Sequence, residues 1–144
     1  MNTIDNALGL LPHGKEFRFL TRLLRLDPGK SGVAEYDLRG DEAFLPGHFP
    51  GAPLMPGVLL VEAAAQLAGV VAQSDPSIEP LAALKLTAIR NAKILGSAVP
   101  GETIQIEATV AGRFENLVQA NAIANVNGKR ILEASLTLGG EKSV

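Results

Sequence analysis

GVLLVEAAAQLAGVVAQ, residues 57–73, is the stretch on which the fold turns. Between Pro56 and the break at Ser74, Asp75 and Pro76 it holds only good helix formers and small residues, which predicts one helix of about five turns. Apart from Glu62 and Gln66, every side chain from Val58 to Ala72 is apolar. A helix that is apolar nearly all round must be buried on most sides. The run falls short of the roughly 20 residues needed to span a bilayer, so it is read as a core helix, with no membrane insertion.

Downstream the period changes from 3.6 to 2. Ile104, Ile106, Ala108 and Val110 alternate with Thr103, Gln105, Glu107 and Thr109, as a strand with one buried face requires. Val118, Ala120, Ala122, Ala124 and Val126 continue the pattern. Asn127-Gly128 then supplies the left-handed pair of a two-residue hairpin turn, and Leu132, Ala134, Leu136 and Leu138 alternate back. Leu81 to Leu95 reads as a further strand. Upstream, Phe17 to Leu26 and Ser31 to Leu38 read as two strands joined by Asp27-Pro28-Gly29-Lys30. Thr3, Asp5 and Asn6 offer N-cap chemistry for a short helix over Ala7 to Leu11 that Pro12 ends. The residues from Gly40 to Pro56 carry too many prolines and glycines for regular structure and form a loop. The sum is an α+β chain, one long central helix wrapped by a curved antiparallel sheet of five to six strands. The alanines of the inner sheet face leave room for the helix to lie close.

The 144 residues (15.0 kDa) fit a single domain, 1–144. A net charge of -2 and a pI near 5.7, without any RNA or DNA motif, make nucleic acid a poor candidate partner, and none is expected. With no cysteine there is no disulfide scaffold and no thiol catalysis. The N-terminus has neither a basic start nor a sustained apolar core, so a cytoplasmic location is the default expectation. His13 and His48, the two histidines, make no zinc pattern, and phosphate-loop, dinucleotide and nucleophile-elbow motifs do not occur.

On the helix, Glu62, Gln66, Gly69 and Gln73 share one narrow face. That face either meets solvent or lies in a cleft, where partial desolvation would raise the Glu62 pKa and keep it able to donate a proton. His48, in GHFPG, is either a packing residue or a general base; an apolar setting would favour the neutral imidazole that abstracts a proton. A neutral histidine and a protonated carboxyl are what an elimination of water needs, one taking the proton alpha to a carbonyl and the other protonating the departing hydroxyl. Pro56-Gly57 is either a plain helix entry or a place where free N–H groups and the helix dipole stabilise a thioester oxygen. His13, in LLPHG, is read as structural.

GHFPGAPLMPGVLLVEAAAQLAG, residues 47–69, closely resembles the signature of bacterial β-hydroxyacyl-acyl-carrier-protein dehydratases of fatty-acid synthesis. LLPHGKEFRFLTRLLRLDPGK and AVPGETIQIEATV resemble the family's N-terminal segment and its strand entry after the helix, so the resemblance covers most of the chain. It implies a hot-dog fold, a homodimer often assembled as a trimer of dimers, and acyl carrier protein as the partner. No cofactor or metal is implied, the substrate riding on the carrier's phosphopantetheine arm. By the same resemblance His48 and Glu62 are the catalytic pair, facing each other across the dimer interface. Gly57 supplies the N–H that binds the thioester carbonyl, the Leu54 carbonyl orients the histidine ring, and Gln66 supports the carboxylate. Glutamate at 62 resembles the branch that only dehydrates. Gly14, Lys15, Glu16 and Thr21 depart from the family's usual arginine, aromatic, proline and aspartate, and a specialised lipid, polyene or polyketide pathway stays open beside fatty-acid synthesis.

Two competing readings remain at this level: a thioesterase of the same fold, and a catalytically silent dimer that binds acyl chains or a carrier protein. For docking of an acidic carrier, Lys85, Arg90 and Lys93 form a candidate basic patch; the alternative is that they are ordinary solvated charges.

Overall fold

Residues 7–142 are described by the computed structural model. Its helix, α1, spans Gly57–Gln73, the bounds expected from Pro56 and from the Ser74-Asp75-Pro76 break. The end is sealed at Ser74, whose N–H and hydroxyl both donate to the Val71 carbonyl, at 3.3 and 2.7 Å. The strands are β1 (Arg22–Asp27), β2 (Ser31–Asp37), β3 (Ala82–Ile94), β4 (Thr103–Phe114), β5 (Leu117–Val126) and β6 (Lys129–Glu141). They form one antiparallel sheet in the order β1-β2-β4-β5-β6-β3. α1 packs on β2 through β6, so the sheet curls about the helix as the alternation and the alanine face require. Ala34, Ala108, Ala120, Ala122, Ala124 and Ala134 are all buried. Approach is close at Gly32, where a Cβ would lie 2.9 Å from a methyl of Val71.

Two turns are dictated by their residues. Asn127 and Gly128 both have positive φ, 51° and 78°, the pair that a two-residue hairpin between β5 and β6 demands. Pro28 and Gly29 (φ 77°) make the β1–β2 turn, closed by the Lys30 N–H on the Asp27 carbonyl at 2.9 Å.

Two expectations need correction or restriction. The pattern predicts a first strand from Phe17, yet the strand begins at Arg22, and Lys15–Phe17 is a 3-10 turn. The Phe19 N–H, which a ladder would use, instead donates to Gln66 Oε1 at 2.8 Å. The expected N-cap residues Thr3, Asp5 and Asn6 lie outside the described residues. Beyond them the chain makes a 3-10 turn, Leu8–Leu10, which Leu11 closes ahead of Pro12.

The loop between β2 and α1 has no regular element but is firmly anchored. Buried Glu42 accepts hydrogen bonds from the Tyr36 hydroxyl (2.7 Å) and the Gly40 and Arg39 amides (2.8 and 3.1 Å). Farther along, the Met55 N–H donates to the Ala98 carbonyl at 2.9 Å, fixing the approach to the helix.

Candidate active site

Pro56 starts α1 without a side-chain cap, so the first N–H groups of the helix, at Gly57 and Val58, have no acceptor among the described residues. Immediately upstream the chain doubles back: the Leu54 N–H donates to the His48 carbonyl at 2.8 Å, and His48 Nδ1 lies 3.1 Å from the Leu54 carbonyl. With Nδ1 held there, Nε2 carries the lone pair and is the nitrogen able to take a proton. The imidazole stacks on Phe49, centroids 4.1 Å apart. His48 and Leu54 are thus tied together just ahead of Gly57, at the N-terminal end of α1. Gly57 is tightly placed, since a Cβ there would come within 2.6 Å of Ile94 Cδ1.

Glu62 is about 1.4 turns farther on, rotated about 140° around the helix from Gly57. It opens into a cavity of about 450 Å³ whose helical wall is the stripe read from the sequence, Glu62, Gln66, Gly69 and Gln73, together with Ala65 and Val70. The stripe thus lines a cavity rather than open solvent: the Glu62 side chain is only 22% exposed and Gln66 is 2% exposed. Ala83 to Leu86 of β3 and Leu138 of β6 form the facing wall, and Leu10 to His13 cover one side. His48 does not line this cavity. One chain brings together Glu62 and Gln66, and separately His48, Leu54 and Gly57, without joining the two groups around one space.

Gln66 is the organiser of the Glu62 side. Its Oε1 accepts the Phe19 N–H, and its Nε2 donates to the Phe17 carbonyl at 2.8 Å and to Glu62 Oε2 at 3.1 Å. Sequence reasoning missed a second neighbour: His13, expected only to support packing, sets Nε2 3.3 Å from the same Glu62 Oε2. The one signal available was that LLPHG holds the other of only two histidines.

The three cations considered for docking are not clustered. All are exposed on β3, but the strand is extended, and at about 3.3 Å per residue Lys85 and Lys93 are roughly 26 Å apart. Lys85 lines the cavity, Arg90 stands between, and Lys93 pairs in register with Glu133. No group of three or more metal-ligating side chains occurs among the described residues.

Residues 11–135 match the model of the FabA-like domain. A protein of Desulforamulus reducens named 3-hydroxyacyl-[acyl-carrier-protein] dehydratase FabZ is 37% identical over 136 residues, 94% of this chain and 95% of its own. Its namesake in Clostridium acetobutylicum is 33% identical over 135 residues, again 94% and 95% of the two chains. Among solved structures, the dehydratase heterocomplex ApeI:P of Xenorhabdus doucetiae superposes with a TM-score of 0.79 at 15% identity, over 99% of this chain and 93% of that one. Zebra fish thioesterase superfamily member 2 superposes with a TM-score of 0.71 at 16% identity, over 94% of each. At such identities these two likenesses show the hot-dog fold alone.

Proposed function

Because the chain belongs to the FabA-like family, we propose that it removes water from (3R)-hydroxyacyl thioesters of acyl carrier protein to give trans-2-enoyl thioesters, in fatty-acid or related acyl-chain synthesis. The observation that carries this reading is the pairing of two opposite chemistries in one chain: a histidine fixed through Nδ1, and a carboxyl fixed through one oxygen in a cavity large enough for an acyl chain. His48 Nε2 takes the proton from the carbon alpha to the thioester carbonyl. The oxygen of that carbonyl gains charge and is met by the Gly57 N–H at the positive end of α1. Glu62 gives its proton to the leaving hydroxyl, which departs as water. The proton on His48 then returns to Glu62 by way of solvent, restoring both groups.

A complete site takes His48 of one protomer and Glu62 of another, because Glu62 faces the cavity and His48 does not line it. Support for a homodimer comes from β3, an edge strand with a free row of backbone groups and with Ile89 and Ile94 about half exposed. Trimers of such dimers are compatible with this reading. The substrate arrives on a phosphopantetheine arm, and the chemistry uses no cofactor and no metal. A cytoplasmic location accompanies such a role.

The deciding experiment incubates purified protein with 3-hydroxyacyl carrier proteins of several chain lengths and monitors the products by mass spectrometry. Loss of one water with the thioester intact is expected. Free thiol would mean a thioesterase, and binding without turnover a silent module; either would overturn the reading.

A further inference from the structure

We propose that His13 is a positioning residue for Glu62, a third side chain of the acid/base machinery; this rests on the dehydratase reading above. Glu62 Oε2 is flanked by two nitrogens, Gln66 Nε2 at 3.1 Å and His13 Nε2 at 3.3 Å. A carboxyl oxygen facing two N–H donors uses its lone pairs on them and does not carry the acid proton. The proton is thereby assigned to Oε1, which accepts no hydrogen bond from the described residues and remains free to meet the leaving hydroxyl.

The placement of His13 is built. The ring sits 6.2 Å from Phe17, nearly parallel to it, and the main chain on either side is stapled by Arg18 Nη2, which reaches the His13 and Leu11 carbonyls at 3.3 and 3.5 Å. Nδ1 is buried without a partner. Of the two tautomers, the one with hydrogen on Nε2 leaves only a lone pair at buried Nδ1 and sets a donor nitrogen 3.3 Å from Glu62 Oε2. The other would bury an unpaired N–H and turn a lone pair toward the carboxylate oxygen. Gln66 is locked by two backbone bonds, so it fixes Oε2 from the helix side, while His13 fixes it from the N-terminal segment. Two contacts from independent elements hold Oε2 from both sides and so restrict rotation of the carboxyl.

The test is steady-state kinetics of His13→Leu, which keeps the bulk and removes the donor, and of His13→Gln, whose amide N–H can replace Nε2–H. Expected is a kcat about 10- to 100-fold lower in His13→Leu, with KM within about twofold, and recovery of most of the rate in His13→Gln. In a Glu62→Gln background, His13→Leu should cost nothing further. A wild-type kcat in His13→Leu, a loss confined to KM, or a full further loss in the Glu62→Gln background would overturn the role. Should His13→Leu not fold, the nitrogen NMR spectrum of the imidazole rings reads the contact without touching His13: Glu62→Gln should shift the His13 resonances, and unchanged resonances would overturn the proposal. A wild type inactive on every 3-hydroxyacyl thioester would overturn the dehydratase reading and this role with it. An active wild type with an unaffected His13→Leu would overturn this role alone.

Discussion

Gln66→Leu offers a severe test of how the site is held, because one side chain there ties the helix to the N-terminal segment. Leucine keeps nearly the same volume and fits a position that is 2% exposed, so packing is largely preserved. What is lost is hydrogen bonding. The Phe19 N–H, whose bond to Oε1 is buried, would have no acceptor, at a cost of about 1–3 kcal/mol. The Phe17 carbonyl and Glu62 Oε2 are only partly buried, and water recovers some of their loss, adding about 1 kcal/mol together. A total near 2–4 kcal/mol is a large share of the roughly 5–15 kcal/mol that such a chain commands. At about 3–4 °C per kcal/mol for this size, Tm should fall by about 6–16 °C. Urea unfolding at a fixed protomer concentration measures it, as a lower midpoint at unchanged slope. A loss under about 1 kcal/mol would refute the claim that Gln66 carries this junction.

Burial alone would push the Glu42 carboxyl up, but the Tyr36 hydroxyl and the Gly40 and Arg39 amides outweigh it and hold the group below the ordinary carboxylate range. A depressed folded-state value stabilises the fold above the unfolded-state value and is lost as pH falls through the folded one. The stability advantage of wild type over Glu42→Gln should therefore shrink below about pH 5 in urea titrations; a constant gap would contradict it. Turnover by His48→Ala and by Glu62→Gln should each drop about 10²- to 10⁴-fold in folded protein, and near-normal rates in either would remove that residue from the chemistry. Joint charge reversal at Arg90 and Lys93 should raise KM for carrier-bound substrate and strengthen at low salt, while a small pantetheine thioester is used normally. Equal loss on both substrates would end the docking idea.

The sequence carried the helix and the C-terminal hairpin because their signals are local: breakers bound Gly57–Gln73, and Asn127-Gly128 can hardly do anything but turn. The polar stripe showed which helix face was special, but whether that face met solvent or a cavity depended on β3 and the N-terminal segment folding over it. The over-long first strand has the same origin, since a tertiary bond from Gln66 takes the Phe19 amide away from any ladder. His13 sits against Glu62 through chain geometry that no spacing encodes. Lys85, Arg90 and Lys93 are near neighbours along the chain but are spread out along an extended strand, with Arg90 and Lys93 the nearer pair.

The central claim is that His48 and Glu62 of two protomers make one dehydrating site, and subunit mixing tests it most directly. His48→Ala and Glu62→Gln proteins, each nearly inactive, are combined in equal amounts until mass spectrometry shows random exchange, and enoyl product is then measured. In a two-fold dimer, half the population would be mixed, each mixed dimer holding one intact site and one doubly damaged site. The account predicts recovery to about a quarter of the wild-type rate; no recovery after complete exchange would contradict it and place both groups within one chain.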